Sequence, residues 1–228
     1  MENRPLTRKG QLLELLVFLF LILPSLVLSF FIARRIAGAG FLFLAGSIIL
    51  RDLALLFLVL YFVWRNGEHS VALGLTSRNL WKEAGTGVAV FIPVFVLTSV
   101  MVSYLHKAGL PAPPNPLPIK IQGVAQYVLA IIMIAVVAVA EESIFRGYLI
   151  LRLEAVTASP AAAVVLSAMI FTAGHGYEGL AQILGVFVVG LVYALVYLWR
   201  KSLTATITMH FLQDFIGIVV VQMMKRHA

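Results

Sequence analysis

Ionisable side chains occur in three otherwise apolar stretches of the second half of the chain. They are Glu141, Glu142 and Arg146 in "AEESIFR", His175 in "FTAGHG", and His210 with Asp214 in "HFLQD". Charged groups at membrane depth are costly, so they usually face the interior of a helix bundle or a hydrated cavity and serve a function. Carboxylates and imidazoles are also the common general acids and bases. We therefore take these six residues as the candidate site.

The spacing within "AEESIFR" predicts different tasks for its two glutamates. Glu142 and Arg146 are four positions apart with the acid first, which favours an ion pair on one helical face. Glu141 lies about 100° further round the helix and is left free to meet groups from other helices. We expect Glu141 to be the general base. In a structural alternative these residues only cap a helix that emerges into water, and Arg146 and Arg152 are ordinary interfacial residues.

The two histidines have structural alternatives as well. His175 follows Phe171 by four positions, but a lone histidine at the end of a span is often interfacial. His210 and Asp214 are also four apart, so the acid can orient the imidazole or simply neutralise a buried histidine. If the three stretches are helices that converge on one hydrated cavity, all of these groups are satisfied together.

One further charged pair, Arg51–Asp52, lies in an apolar stretch. Neighbours in sequence do not face each other on a helix. We therefore expect a structural role for this pair, with separate partners elsewhere in the bundle.

The composition identifies the class of protein that must position these groups. Of the 228 residues 61% are hydrophobic and only 12% are charged, and the mean hydropathy is +1.01; soluble domains have about 25% charged residues. This indicates one polytopic, all-α membrane domain over residues 1–228. The absence of cysteine excludes disulfides, thiolate metal sites and cysteine nucleophiles. The net charge of +7 comes from basic residues near segment ends rather than from one clustered face, which argues against nucleic-acid binding.

Apolar runs predict about seven transmembrane helices. They lie near 11–33, 41–64, 84–105, 123–153, 159–174, 180–199 and 203–224. The first is too long for the core of a signal peptide and is read as a retained span. The fourth would be about 46 Å long at ~1.5 Å per residue, and the fifth is short. Between spans, "TSRNLWKE" around Trp81 is expected at the interface, and "LPAPPNPLP" at 110–118 as an extended loop.

The ordered motifs resemble the CPBP family of intramembrane proteases, which includes type 2 CAAX prenyl proteases and bacteriocin-processing or immunity proteins. They are E-E-x-x-x-R in "EESIFR", F-x-x-x-H in "FTAGH" and H-x-x-x-N/D in "HFLQD", and the resemblance covers about residues 120–220. It implies an all-helical membrane fold with the active site inside the bundle, and hydrolysis of a peptide bond.

The resemblance also implies roles for the six residues. Glu141 and His175 would activate water, and His210 and Asp214 would stabilise the oxyanion, while Glu142 and Arg146 complete the first motif. The best-known members have Asn where this chain has Asp214. An ionised Asp cannot donate a hydrogen bond, so Asp214 would either be protonated or orient His210 as the donor.

We therefore expect an intramembrane endopeptidase that acts without a cofactor on a membrane-associated peptide or protein, in a prokaryotic plasma membrane. The close alternative is a zinc enzyme with Glu141 or Glu142, His175 and His210 as ligands, although no H-E-x-x-H motif is present. A transporter that uses these groups as a proton relay is a second alternative, but the sequence has no internal repeat. A non-catalytic immunity or scaffold protein is the third.

Overall fold

The computed structural model describes residues 6–32, 40–76, 79–111 and 121–227, and these fold into a bundle of seven main helices. The first three are α1 (Arg8–Ile32), α2 (Phe41–Arg65) and α3 (Leu80–Lys107). The next three are α4 (Gly123–Thr157), α5 (Pro160–Ala173) and α6 (Leu180–Arg200). The last, α7, runs through Leu203–Asp214, Phe215–Val220 and Val221–His227. Short 3-10 helices occupy Ser70–Leu73 and Gly176–Glu178.

The helix count and the membrane assignment agree with the sequence. Within the described residues, five helices (α2, α3, α4, α6 and α7) are long and apolar enough to cross a membrane, and α5 is a shorter apolar helix. Trp81, which the sequence places at the membrane interface, lies in the first turn of α3, so its segment is the start of that helix rather than a separate turn or short helix. Ser77 and Arg78 of that segment, and most of the predicted loop at 110–118, lie outside the described residues.

Two tight turns place the motif-bearing helices side by side. Ala158, between α4 and α5, and Lys201, between α6 and α7, adopt the left-handed conformation that commonly ends a helix. The next helices begin at N-caps: Ser159 accepts a hydrogen bond from the amide of Ala162, and Ser202 from that of Thr204. Each pair of helices therefore forms a hairpin.

Helix α4 occupies the middle of the bundle. It packs against α2 and α7, and its last part, Ile150–Thr157, packs against α1 and α5. Helix α7 in turn packs against α3 and α6. The three motifs, which lie on α4, at the end of α5 and on α7, are thus carried by elements around one interior.

The chain changes its helical form directly after the two glutamates. Residues Ser143–Leu149 form a π-helical segment within α4, and every one of them is buried. Gly147 lies in this segment, where a Cβ atom would approach the carbonyl oxygen of Leu73 to 2.9 Å. π-Helical turns occur often at functional sites, and this one begins directly after Glu142.

Candidate active site

A cavity of about 490 Å³ lies inside the bundle and brings the three motifs together. Four of the six candidate residues line its wall, namely Glu141, His175, His210 and Asp214. The other polar groups on the wall are Arg51, Tyr177, Glu178, Gln182, Tyr193 and Gln213. The convergence expected from the sequence is therefore present, with polar groups from four helices, from His175 just after α5 and from the 176–178 turn facing one space.

Glu142 and Arg146 lie behind the cavity wall. Arg146 Nη1 donates to Glu142 Oε1 at 2.7 Å, which is the predicted ion pair, and the two side chains are 1% and 0% exposed. The Arg146 guanidinium also lies over the ring of Phe171, 4.4 Å from its centroid. Arg152 is equally buried. The alternative in which Arg146 and Arg152 are interfacial caps is therefore wrong.

Glu142 also orients His210. The imidazole Nδ1 lies 2.9 Å from the same Oε1 atom that Arg146 binds, so Nδ1–H donates to the carboxylate and Nε2 is turned to the cavity. Asp214 Oδ2 lies 3.6 Å from Nε2, which is too long for a hydrogen bond. The expected orienting contact from Asp214 is thus replaced by one from Glu142, because α4 packs directly against α7.

Glu141 lies on the neighbouring face of α4, as predicted, and meets two cationic or polar groups. Its Oε2 atom is 3.8 Å from His210 Nε2, and its Oε1 atom is 3.8 Å from Arg51 Nη2. Oε2 is buried and has no hydrogen-bond partner among the described residues. Of the two glutamates of the first motif, Glu141 lines the cavity and Glu142 does not, so Glu141 is the carboxylate that a bound molecule could reach.

The prediction that Arg51 and Asp52 have separate partners is wrong in part. Arg51 Nε donates to Asp52 Oδ1 at 2.7 Å, because the long arginine side chain can fold back across the angle between adjacent positions. Arg51 nevertheless reaches Glu141 on α4 as well. Asp52 thus anchors a cation at the cavity wall.

His175 is held at the end of α5 in a defined tautomer. Its Nδ1 lies 3.1 Å from the carbonyl oxygen of Phe171, which can only accept, so Nδ1 carries the hydrogen and Nε2 keeps its lone pair. His175 also lines a second cavity of about 120 Å³, which it shares with Arg51, Glu141 and Tyr177.

Sequence reasoning missed the turn at Gly176–Glu178, which closes one side of the cavity. Burial raises the pKa of Glu178 above its ordinary value. Burial also raises the pKa of Tyr177. The "HGYEG" sequence shows polar residues beside His175, but nothing in it reveals that they fold back over the site.

Tyr193 and Gln213 were missed as well. Tyr193 Oη donates to Gln213 Oε1 at 2.9 Å across the cavity wall. Gln213 stands directly before Asp214 in "HFLQD", so a search for uncharged polar residues in spans could have found it. Tyr193 lies in an apolar run without any such signal.

The zinc alternative needs three ligands around one point. Within the described part of the chain, no group of three or more His, Asp or Glu side chains is arranged so that it could hold a metal ion. In this arrangement Arg51, rather than a third ligand, faces the Glu141 carboxylate that would bind zinc. We derive no chemical step through a metal.

Comparison with known proteins places the same region in a family. Residues 123–216, which carry all three motifs, match the model of Rce1-like type II CAAX prenyl endopeptidases. No curated protein and no solved structure matches the chain. The match confirms the resemblance that the motifs predicted, and it supports an intramembrane endopeptidase.

Proposed function

We propose that this chain is a peptidase that hydrolyses its substrate with a water molecule activated by Glu141 and His175. The match of residues 123–216 to the type II CAAX prenyl endopeptidases supports this proposal. The substrate is a membrane-associated peptide or protein whose scissile bond enters the cavity, and the membrane is a prokaryotic plasma membrane. The observation that carries the proposal is the cavity of about 490 Å³, on which a free carboxylate and two imidazoles from three helices meet.

Glu141 and His175 are suited to activate water. Both line the smaller cavity of about 120 Å³, and each offers an acceptor: Glu141 its carboxylate and His175 the lone pair on Nε2. In this mechanism Glu141 takes a proton from water while the oxygen attacks the carbonyl carbon of the peptide bond. A base placed in this way contributes about 10²–10⁴-fold to the rate.

His210 is suited to stabilise the tetrahedral intermediate. Its Nδ1–H is engaged with Glu142, so when the imidazole carries both protons its Nε2–H is directed at the cavity and can donate to the oxyanion. The intermediate collapses when the C–N bond breaks and the proton held by Glu141 passes to the leaving amine. The products are one peptide with a new carboxylate and one with a new amine.

The first experiment replaces Glu141 by Gln. With a prenylated CAAX peptide carrying a fluorophore and a quencher as the probe, we expect Glu141→Gln to lower kcat at least about 10²-fold, because the amide cannot accept the proton from water. Glu154→Gln is the matched control, since it is the same change on the same helix away from the cavity. A Glu141→Gln variant that cleaves at the wild-type rate contradicts the assignment.

The substrate class is tested in cells. Comparison of the peptides released in cells with the wild-type protein and in cells with Glu141→Gln should show products that depend on Glu141. A prenylated C-terminus, a peptide leader or a membrane anchor among these products would identify the natural substrate.

The catalytic type is tested by metal removal. We propose the metal-independent reaction, so activity should persist in protein that has been treated with a chelator and shown by elemental analysis to be free of zinc. Loss of activity on chelation, restored by added zinc, would establish the metalloprotease instead.

A further inference from the structure

Gln213 presents an uncharged hydrogen-bond donor to the cavity. Its Oε1 atom accepts from Tyr193 Oη at 2.9 Å, and within the described part of the chain this is its one hydrogen bond. The amide nitrogen makes no hydrogen bond within the described part of the chain, and it is not fully buried. With the oxygen held by Tyr193, the NH2 group is the end of the carboxamide that is left to bind another molecule.

Tyr193 is itself held in place. It is 1% exposed, and its ring packs among buried residues of α3 and α7, including Phe91 and Met209. The Arg146 guanidinium lies 5.3 Å from the centroid of the ring, and the His210 ring lies 6.2 Å away. The phenol that binds Gln213 thus packs against Arg146. Arg146 is the partner of the Glu142 carboxylate that orients His210.

Gln213 and His210 are three positions apart on α7, so their side chains are neighbours on the helix surface. The other groups near His210 Nε2 are the carboxylates of Glu141 and Asp214. A carboxylate accepts hydrogen bonds when it is ionised, whereas an amide donates from NH2 without a change of charge. Gln213 is thus a neutral donor beside the imidazole.

We propose that Gln213, positioned by Tyr193, donates its amide hydrogen bond to the carbonyl oxygen of the scissile bond as negative charge develops there. This inference rests on the proposed peptidase function. It assigns to Gln213 the amide chemistry that Asp214 lacks when ionised, and it makes Tyr193 a positioning residue that does not contact the substrate.

The test compares Gln213→Leu, Gln213→Glu and Tyr193→Phe on the prenylated CAAX peptide. A donor that acts mainly in the transition state should lower kcat by about 10²–10³-fold when it is lost, with little change in KM. We expect this loss for Gln213→Leu and Gln213→Glu. Tyr193→Phe should show a smaller fall in kcat with the same unchanged KM, because the amide is present but no longer held.

Gln222→Leu is the matched control, since Gln222 is the same residue type on the same helix and does not line the cavity. It should change kcat by less than about threefold, within the scatter expected for a distant group. Thermal unfolding of each variant checks the fold, and Gln213→Glu, with nearly the same shape, serves if Gln213→Leu does not fold.

Three outcomes decide the inference. A large fall in kcat at Gln213 with Gln222→Leu unaffected supports it. Equal effects at Gln222 and Gln213, or none at Gln213, overturn it while Glu141→Gln still abolishes turnover. If Glu141→Gln retains turnover, the proposed function fails and this inference fails with it.

Discussion

Glu142 joins two functions in one carboxylate. Its Oε1 atom binds both Arg146 and His210, while its Oε2 atom is buried with no partner among the described residues. The Arg146 cation therefore offsets a charge that would otherwise be isolated in the bundle, and the same carboxylate fixes the imidazole that faces the cavity. The position of His210 depends on a pair that does not itself contact the cavity.

Replacement of Arg146 by Met should destabilise the protein strongly. Removing one partner of a buried ion pair leaves an uncompensated charge and costs about 3–5 kcal/mol. Thermal unfolding in detergent should show a large fall in Tm. The double variant Glu142→Gln/Arg146→Met removes both charges of this pair and should recover part of that stability without recovering activity. A double variant no more stable than Arg146→Met would contradict this account.

Glu178 should give the stability of the protein a pH dependence. Burial raises the pKa of its carboxyl in the folded state, so the folded chain binds this proton more tightly than the unfolded chain does. The stabilisation is therefore present at low pH and is lost as the pH rises through the raised pKa.

Glu178→Gln cannot ionise and should remove this dependence. The difference in Tm between the variant and the wild type should increase as the pH is raised from about 4, near the ordinary pKa of glutamate, to about 8. Glu154→Gln serves as the control and should show no such trend. A constant difference in Tm between Glu178→Gln and the wild type would contradict the expectation.

At the scale of helices, sequence spacing predicted the Glu142–Arg146 contact within one element but no specific contact between elements. The Glu142–Arg146 pair was found because both residues lie on α4 at a spacing fixed by helical geometry. The hydrogen bond between Glu142 and His210 joins α4 to α7, and it depends on the rotation of each helix about its axis. Apolar runs fix the number of helices but not those rotations.

The same distinction explains the other outcomes. The seven helices and the short fifth one follow from the length of the apolar runs. The contact of Arg51 with Glu141 and that of Tyr193 with Gln213 each join two helices, so no spacing within one run could reveal them. The π-helical turn after Glu142 also has no signal in "SIFRGYL", because its buried contacts, including the approach of Gly147 to Leu73, are tertiary.

Two glycines of α3 should respond differently to the same substitution. A Cβ atom at Gly87 would lie 2.5 Å from the carbonyl oxygen of Ala205 and 2.9 Å from Thr208 Cβ on α7. Close approach of membrane helices through small residues is a common basis of their packing. A Cβ at Gly85 has no atom within 4 Å apart from its own helix backbone.

Gly87→Ala should therefore separate α3 from α7, the helix that carries His210, and lower both Tm and kcat. Gly85→Ala should leave activity unchanged and stabilise the helix by about 0.5–1 kcal/mol, the usual gain from glycine to alanine in a helix interior. Thermal unfolding and peptide cleavage measured on both variants provide the comparison. Equal behaviour of the two would contradict the proposed packing.

At the scale of the whole molecule, two arginines join distant parts of the chain by binding carboxylates. Arg152 at the end of α4 donates to Glu14 on α1 at 2.8 Å and binds both oxygens of Glu68. Tyr148 also donates to Glu14, at 2.9 Å. Arg200, at the end of α6, binds both oxygens of Glu83 in the first turn of α3.

Because they differ in burial, Arg152 and Arg200 should contribute unequally to the stability of the protein. The Arg152 side chain is 1% exposed, whereas that of Arg200 is 22% exposed. Arg152→Met leaves the carboxylate of Glu14, itself 2% exposed, without its cation, and we expect a loss of about 3–5 kcal/mol. Arg200→Met should cost less, because the Arg200 end of its pair reaches solvent, although Glu83 is only 8% exposed, and a partly exposed ion pair contributes less to stability.

The measurement is thermal unfolding of the two variants in the same detergent, with cleavage of the prenylated peptide followed in parallel. Arg152→Met should lower Tm far more than Arg200→Met, and its activity below its own Tm should stay near that of the wild type, because Arg152 does not line the cavity. Equal losses of Tm would show that burial does not determine how much each arginine contributes to stability. A loss of activity at full folding would show that the end of α4 is coupled to Glu141 through the π-helical turn.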